Sequence, residues 1–516
     1  MCGVPHAAEP QGRGLNPVTY SQRGREGHRR LTPALVMGLL ALGHALLPPS
    51  PVSAQGVRGW VGTTAQMVEM RPMGLDTIHR SQVTFDENGR GTVLGQPVDC
   101  SLGEICTRYQ TLPEVRATVG MLDLSLTAWG LGMQGLSITT LLRARTDLGG
   151  DFAWPRANDD FDAMLVYAQL ARGPVRVRVG RQEVRSGLGF SAFDGGSLAL
   201  TVRDVRLEGY GGRSMARGLR EPANEALRGI EAFLPDQSVY LYGAAARARV
   251  NGTSLTGRYH REILADGKGL ASERASVDFS TVVPRARING SLDYDWGFRK
   301  IGKGHLTVSF PFSEARWLLE ATARRYMPYF DLSTIWGFFE PVAYSELEAR
   351  LGWSPEGTFA AWLTGGRRQY EDANTTEVVD LLTDDGWRAD AGLQWRMHDR
   401  WQLEGSYRLE WGPGAFLSSG DLGARYSPSD RLSVTASGMT FQQIAEFRVG
   451  EGRAVGGGLS FDLGVTDRAR LAGGFSVLRH RNEGEVEESP WNQSRAWAGL
   501  RIEVGNDPGL TARRQP

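Results

Sequence analysis

The strongest constraint on the fold is a segment of alternating character that recurs along most of the chain. In Trp401–Trp411, WQLEGSYRLEW, apolar residues alternate with polar or charged ones. Successive side chains of a β-strand point to opposite faces of the sheet, so this alternation predicts a strand. Segments of about ten residues with this pattern, bounded by Gly, Pro, Asp or Asn, follow one another from about Val115 onward. Long helical periodicity is absent, and the chain is predicted to be all-β.

The two faces of these predicted strands differ from those of a soluble sheet. In Ala343–Trp353, AYSELEARLGW, one face carries Tyr, Glu, Glu and Arg, which is too much charge for a closed core. Aromatic residues also end the apolar face, as Trp401 and Trp411 do. Aromatic rings favour the two membrane interfaces, and a tilted strand of about ten residues spans the hydrocarbon core. The pattern predicts that the apolar face meets lipid and that the charged face lines a polar or water-filled interior.

The predicted connections alternate between short and long. Short turns are predicted at Gly173-Pro174, Asn251-Gly252, Pro355 to Gly357, His398 to Arg400, Ser427 to Asp430 and Thr466-Asp467. Long connections are predicted at Gly187 to Asp194, Gly211 to Arg228, Met327 to Val342, Glu371 to Gly386, Gln443 to Arg453 and Arg481 to Gln493. This arrangement is typical of outer-membrane barrels, which have tight periplasmic turns on one rim and longer loops on the other. We therefore predict a single transmembrane antiparallel up-and-down β-barrel of about 22 strands, within a range of roughly 18 to 22.

The N-terminal region has the order of a secretory signal peptide. Arginines precede the apolar run from Leu31 to Leu47, and the small residues Val52-Ser53-Ala54 follow it. Residues 1–54 are predicted to be a signal peptide with cleavage after Ala54, and translation is expected to start downstream of Met1. A membrane anchor is the alternative, although the apolar run is short for a spanning helix. The predicted organisation is then signal peptide 1–54, barrel 55–505 and polar C-terminal tail 506–516, exported to the outer membrane of a Gram-negative-type bacterium.

Composition excludes some classes of function. The chain has 58 Lys and Arg against 58 Asp and Glu, so it has no basic excess for nucleic acid. It has 66 Gly among 516 residues and only 41% hydrophobic residues, which is little material for a conventional core of this size. In an exported chain, Cys100 and Cys106 are predicted to form one local disulfide rather than a metal site, because no nearby His or Cys completes a ligand set. No metal and no cofactor is predicted.

One part of the chain resembles a known family. VRVRVGRQEV, then FDGGSLALTVRDVRLEGYGGR and later SVYLYGAAARA, resembles the central part of alginate-export-type and related porin-like outer-membrane barrels. The matching residues are Gly180, Arg181, Gln182, Phe193, Asp194, Gly195, Tyr210, Gly211 and Arg213. The resemblance covers about 80 residues and implies an arginine-bearing passage for an anionic or sugar-like solute.

The predicted functional residues follow from which strand face points inward. Candidate pore-lining residues are Arg176, Arg178, Arg181, Arg247, Arg249, Glu346, Glu348, Arg350, Arg388, Asp390, Arg396, Glu404 and Arg408. Facing charges of this kind would orient and filter solutes, or they would pair across strands and brace the wall. Arg181 is the first choice among them for a role in the lumen, because Gly180 interrupts the alternation there. Candidate residues of a constriction loop are Tyr329, Phe330, Trp336, Phe338 and Phe339. Folded inward, this loop would narrow the pore and offer rings on which sugars stack; folded outward, it would only pack on its neighbours.

We expect an outer-membrane channel for small hydrophilic solutes. The expected partners are outer-membrane lipid and lipopolysaccharide, the solutes, and the barrel-assembly machinery; the sequence gives no oligomeric state. A closed barrel with an anchoring, adhesion or assembly role is the alternative. An enzyme on the barrel rim is a weaker one, with His260, His398 and His480 as candidates by residue type alone, because no catalytic motif is present.

Overall fold

The structure is a computed structural model. It describes residues 56–71, 73–85, 91–93, 96–100, 103–111, 113–149, 161–215, 238–265, 267, 269–327, 343–355, 357–371, 385–412, 415–445, 451–483 and 490–506. The predicted signal peptide, residues 1–54, lies outside this part of the chain.

Strands make up most of the described residues. In chain order they are β1 (Gly56–Met70), β2 (Met73–His79), β3 (Thr84–Phe85), β4 (Gly91–Val93), β5 (Gln96–Val98), β6 (Ile105–Thr111), β7 (Val115–Trp129), β8 (Leu136–Gly149), β9 (Phe161–Arg172), β10 (Val175–Ser186), β11 (Gly189–Val202), β12 (Val205–Ser214), β13 (Val239–Val250), β14 (Thr253–Leu264), β15 (Leu270–Val283), β16 (Ala286–Asp295), β17 (Lys300–Phe312), β18 (Trp317–Tyr326), β19 (Tyr344–Trp353), β20 (Phe359–Tyr370), β21 (Asp385–His398), β22 (Trp401–Gly412), β23 (Ala415–Ser429), β24 (Leu432–Ala445), β25 (Glu451–Gly464), β26 (Ala469–Glu483) and β27 (Trp491–Gly505). One short 3-10 helix covers Arg80–Gln82. No helix in the described ranges is long and apolar enough to cross a membrane.

Twenty-two of the described strands close into one antiparallel barrel. β1 pairs with β7, each strand from β7 to β26 pairs with the next in sequence, and β27 pairs back with β1. At this seam Arg58 lies opposite Gly505, and the backbone N–H of Asn506 donates to the carbonyl of Val57 at 3.0 Å. The predicted all-β barrel of about 22 strands is confirmed. Closure gives every described barrel strand two neighbours, so none is left as an open edge.

The connections define two rims. The short-turn rim carries the β9–β10, β13–β14 and β21–β22 turns, at Gly173-Pro174, Asn251-Gly252 and Asp399-Arg400, and β1 begins and β27 ends there. Asn251 and Gly252 both have positive φ, 47° and 79°, which two-residue hairpin turns require and which Asn-Gly adopts most readily. The opposite rim is the long-loop rim, where β12 and β13, for example, are separated by residues 215–238.

One predicted long connection is wrong. Gly187 to Asp194 was expected to be a loop, but β10 and β11 remain paired up to Ser186 and Gly189, and only Gly187-Leu188 turns the chain. A hairpin therefore replaces the expected loop at this position. The long-loop rim accordingly mixes long connections with short ones.

The segment between β1 and β7 has its own small structure on the long-loop rim. β2 pairs with β6, and β3, β4 and β5 form a second sheet. Cys100 and Cys106 form a disulfide with their Cα atoms 4.1 Å apart, which confirms the predicted pairing. The sequence predicted only the disulfide of this segment and none of these short strands.

The two faces of the barrel wall separate by polarity. In β19, Leu347 and Leu351 are exposed on the outer face, whereas Glu346 is only 4% exposed on the inner one. Stacked aromatic pairs end the outer apolar face near both rims: Trp317 with Trp353 on the short-turn side, and Trp387 with Trp411 on the long-loop side. The alternation predicted from the sequence is therefore present in the fold, with the apolar set facing outward.

Candidate functional site in the barrel interior

The polar faces of the strands enclose a common interior. A cavity of about 620 Å³ is lined by Gln66 of β1, Trp362 of β20, Glu404 of β22 and Asp421 of β23, together with serine and glycine residues of β24–β26. Strands β21 to β27 lie between Trp362 and Gln66 in the sheet, so these two side chains approach from separate parts of the wall. The polar face is therefore the concave, inner one.

Most of the predicted pore-lining residues lie on this inner face. A residue that lies opposite an inward-facing residue of the neighbouring strand also faces inward, so the inner face can be followed from strand to strand around the barrel. The inward-facing candidates identified in this way are Arg176, Arg178, Arg247, Arg249, Glu346, Glu348, Arg350, Arg388, Asp390, Arg396, Glu404 and Arg408. Their role in transport remains a prediction.

Arg181 is the exception, and the prediction that it faces the lumen is wrong. Pairing of β10 with both neighbours continues without a bulge through Gly180, so the alternation is not reset there. Arg181 therefore shares the outer face with Val177 and Val179. Its guanidinium donates to both carboxylate oxygens of Asp194, at 2.7 and 2.9 Å, on the next strand. Arg181 ties neighbouring strands together on the outside of the barrel.

The inner face of β18 to β22 carries a network of charges centred on Glu346. The Glu346 side chain is 1% exposed. Arg368 donates to its Oε2 from Nε and Nη2 at 3.0 and 2.9 Å, and Arg324 donates to its Oε1 at 3.3 Å. Arg388 lies 3.8 Å from Oε1, and Arg368 also bonds Glu410. Loss of any one of these partners would leave the remaining buried charges unpaired.

The same wall continues toward the short-turn rim with paired groups. Trp362 donates its indole N–H to Asp390 at 2.8 Å, and Arg350 lies over the Trp362 ring, 5.2 Å from its centroid. Asp390 also lies 3.9 Å from Arg408. Gly392, opposite Trp362, leaves the room that the indole fills, since a Cβ there would lie 2.2 Å from the ring. These contacts fix Trp362 as a rigid part of the inner wall.

The β10–β11 hairpin bends into the interior. Arg274 of β15 donates from Nη1 to the carbonyl of Leu188, at the tip of the hairpin, at 3.0 Å. Three strands, β12 to β14, lie between β11 and β15, so the tip reaches this contact across the inside of the wall. Gly187 also approaches Asp278 of β15, because a Cβ at this glycine would lie 2.8 Å from the carboxylate. The hairpin narrows the interior on this side.

A small apolar core holds the hairpin in this position. Phe193 of β11 packs on Tyr210 of β12 and Leu241 of β13, and Val184 of β10 packs against them. Phe193 is completely buried, and its ring centroid is 5.8 Å from that of Tyr210. Burying a side chain of this size contributes about 1.5–3 kcal/mol. The hairpin is therefore part of the packed structure rather than a loose connection.

Gln182 joins the hairpin to the wall through hydrogen bonds. It is 1% exposed, its amide Nε2 donates to the carbonyl of Gly195 at 3.1 Å, and its Oε1 accepts from Ser197 Oγ at 2.7 Å. In the Gly180-Arg181-Gln182 motif it is Gln182, rather than Arg181, that points inward. The alternation of Arg176, Arg178 and Gly180, continued by two residues, was the available signal.

Below the hairpin lies a buried polar chain. Tyr210 Oη and His260 Nδ1 are 3.2 Å apart, and His260 Nε2 is 3.3 Å from Glu262 Oε1. Ser214 Oγ donates to the same carboxylate oxygen at 3.5 Å. Of the other histidines named from the sequence, His480 stacks on Trp491 and bonds Gln493, and His398 ends β21 at the short-turn rim. These three histidines lie in separate places and form no shared site.

Some predictions cannot be located. The constriction-loop candidates Tyr329, Phe330, Trp336, Phe338 and Phe339 lie outside the described residues. Within the described ranges, no group of three or more His, Cys, Asp or Glu side chains is arranged to hold a metal ion.

At the long-loop rim Arg325 donates two hydrogen bonds to Glu371, just beyond the end of β20, and these bonds lower the pKa of the Glu371 carboxyl.

Comparison with known proteins gives no family. No family model matches the chain, and no curated protein matches it. The alginate-export-type resemblance of the segment around Gly180 to Arg213 is therefore not supported by a family match.

Solved structures resemble the chain only at low identity. It is similar to a mutant of the ferric enterobactin receptor of Pseudomonas aeruginosa, with 10% identity, a TM-score of 0.45 and coverage of 86% of this chain and 80% of that one. It is similar to a BenF-like porin from Pseudomonas fluorescens, with 8% identity, a TM-score of 0.41 and coverage of 87% and 99%. It is similar to an anion-selective porin from Comamonas acidovorans, with 12% identity, a TM-score of 0.31 and coverage of 52% of this chain and 93% of that one.

Proposed function

We propose that the chain is an outer-membrane channel for small hydrophilic solutes, exported by means of a signal peptide in residues 1–54. The outer face of the barrel supports this location. It is apolar over the middle of the strands, it carries aromatic pairs toward both rims, and closure leaves no backbone edge to be satisfied in lipid. Insertion would depend on the barrel-assembly machinery of that membrane.

The observation that carries the proposal is the polar, charged inner face, narrowed by the inward β10–β11 hairpin. Water and hydrophilic solutes are accommodated by an inner wall of arginines, carboxylates, serines and glycines, whereas a packed apolar interior would exclude them. The contact from Arg274 to Leu188 gives this interior a defined constriction.

Within this class, anionic and sugar-like solutes are the candidates. Arg247 and Arg249 lie on the inner face of β13, and neither forms an ion pair with a described carboxylate. Arg178 is bonded to the neutral amide of Gln169 at 2.8 Å. Arginines that form no ion pair attract anions along this side of the interior. On the β18–β22 side, arginines and carboxylates are paired.

Conductance tests the proposal. Residues 55–516, folded into a planar bilayer, are expected to give discrete open steps, and the reversal potential in a salt gradient is expected to show a preference for anions. A barrel shown to be folded by its heat-dependent electrophoretic mobility, yet electrically silent, would contradict the channel. That result would favour the closed barrel with an anchoring, adhesion or assembly role.

A further inference from the structure

The outer wall carries arginines at a constant distance from the short-turn rim. The separation is eight residues from Val205 to Arg213 in β12 and from Thr253 to Arg261 in β14. It is the same from Trp317 to Arg325 in β18 and from Phe359 to Arg367 in β20. Eight residues of a strand tilted by about 40° rise roughly 20 Å, which is close to the height of the apolar band of such barrels. These arginines mark the upper edge of that band on the long-loop side.

The arginines differ in how far they are already neutralised. Arg325 is paired with Glu371, and Arg367 with Asp385 at 2.9 Å. Arg213, by contrast, donates to the neutral hydroxyl of Ser238 at 3.0 Å. Arg261 lies 3.8 Å from Glu273.

Arg213 and Arg261 flank one short stretch of wall. In the register Arg213 lies opposite Tyr240, and Arg261 lies opposite Tyr242, on the strand between them. The Nε of Arg261 is buried without a hydrogen-bond partner. Arg213 also lies opposite Asp194 in the register, and Arg261 lies opposite Glu273. With Arg181, which is paired with Asp194, these three arginines exceed the two carboxylates by one positive charge.

An apolar groove lies on the outer wall on the short-turn side of these two arginines. It has a volume of about 610 Å³, and its outward-facing lining residues are Leu198, Leu200, Leu207, Gly209, Ala244, Ala246, Gly257 and Tyr259. Gly209 and Gly257 leave open space along this shallow groove, since a Cβ built at either would meet no atom within 4 Å. A hollow lined by apolar and small residues with cationic groups at one end is complementary to an acyl chain with an anionic headgroup.

We propose that this groove, between β11 and β14, holds an acyl chain of a phosphorylated glycolipid of the outer leaflet, and that Arg213 and Arg261 bind its phosphate. The inference rests on the proposed outer-membrane location but not on conductance, because the site is on the outside of the barrel. Arginine suits this role, since its guanidinium presents several N–H donors to one phosphate.

The test is native mass spectrometry of the full protein, purified in detergent from outer membranes and titrated with diphosphorylated lipid A or with the same lipid after enzymatic dephosphorylation. EDTA is present throughout. Arg213→Gln combined with Arg261→Gln is expected to weaken binding of the phosphorylated lipid by about tenfold or more. The same change should leave binding of the dephosphorylated lipid unaltered. Arg316→Gln, at the short-turn rim, is the matched control and should bind as the parent does.

The groove is tested separately by Gly257→Leu, which fills it without a clash. This variant is expected to weaken binding of both lipids, whereas Gly365→Leu, at an equally open glycine on β20, should not. Equal binding of the two lipids by the parent protein, or unchanged binding by the double arginine variant, would overturn the proposal. Binding that appears only when Mg²⁺ replaces EDTA and is lost in Glu273→Gln would also overturn it, by pointing to a cation bridge. Heat-dependent mobility confirms that each variant is folded.

Discussion

The side chain of Glu346 is held in place by its ionic partners. Its carboxylate is almost completely buried and is shared by Arg324, Arg368 and Arg388. Those arginines come from three different strands, so a single carboxylate connects β18, β20 and β21 through β19. Removing one partner of a buried ionic group leaves the other charges buried and unpaired. This lowers the stability more than replacing the whole group by apolar residues would.

We predict that Glu346→Gln lowers the free energy of unfolding by about 3–5 kcal/mol. The measurement is urea-induced unfolding in lipid vesicles, followed by tryptophan fluorescence. Glu404→Gln is the control, because Glu404 also faces the interior but is exposed and forms no ion pair in the described structure. Its expected effect is within about 0.5 kcal/mol. Equal effects of the two changes would show that the arginine cluster does not depend on Glu346.

Arg181 shows the limit of sequence reasoning at this scale. The interruption of the pattern at Gly180 was interpreted as a change of face, but Gly180 has a φ of 122° and the register passes through it unchanged. Glycine adopts this conformation without steric cost, so the strand continues. The other pore-lining candidates were placed on the correct face because their strands alternate without interruption. The signal that would have placed Arg181 correctly was the alternation of Arg176, Arg178 and Gly180 continued to Gln182.

At the scale of elements, the β10–β11 hairpin is the feature on which the channel proposal most depends. It is held by an apolar contact at Phe193 and by the bond from Arg274 to Leu188. Both contacts join residues far apart in sequence.

Shortening this hairpin is expected to widen the channel. Replacing residues 184–191 by Asn-Gly should raise the single-channel conductance, because the tip no longer covers the inner faces of β12 to β14. The control is the connection between β16 and β17 on the same rim, residues 296–299, whose backbone hydrogen bonds run to Asp295 and to the neighbouring strand β15. Shortening it to Asn-Gly should leave conductance unchanged. A conductance that does not rise in the first variant would mean that the constriction lies elsewhere.

Most strands could be predicted from the sequence and this hairpin could not. β10, β14, β20 and β22 were recognisable because alternation and turn residues are local signals. Gly187 to Asp194, GLGFSAFD, is rich in glycine, its alternation breaks at Phe193, and it was taken as a loop. Its strand conformation depends on Phe193 meeting Tyr210 and Leu241, which are 17 and 48 residues further along the chain. Contacts at that distance leave no periodic trace in the sequence.

For the whole molecule, the opposite polarities of the two faces predict that a new charge on the outer face destabilises the barrel more than one on the inner face. Leu422 and Asp421 are adjacent on β23. Leu422 is 66% exposed on the outer face, whereas Asp421 lies on the inner face, opposite Ser406 in the register. Leu422→Arg should destabilise the barrel in lipid by about 2–4 kcal/mol, because a charge then faces hydrocarbon. Asp421→Arg should cost much less, and in the channel it should shift the reversal potential toward anions. Urea unfolding in vesicles measures the first effect, and equal destabilisation by both changes would contradict the assignment of faces.

The pairing of β1 with β27 sets the order in which the molecule can be completed. β1 is synthesised first among the barrel strands, but its second partner, Trp491–Gly505, is synthesised last. Until then the growing sheet has two unpaired edges, and an unpaired edge is a template for pairing with another chain. A chain truncated anywhere before β27 therefore forms an open sheet with unpaired edges, which is prone to associate with other chains, rather than a smaller barrel. Closure therefore constrains the number of strands, which can be gained or lost only in pairs that keep both ends on the same rim.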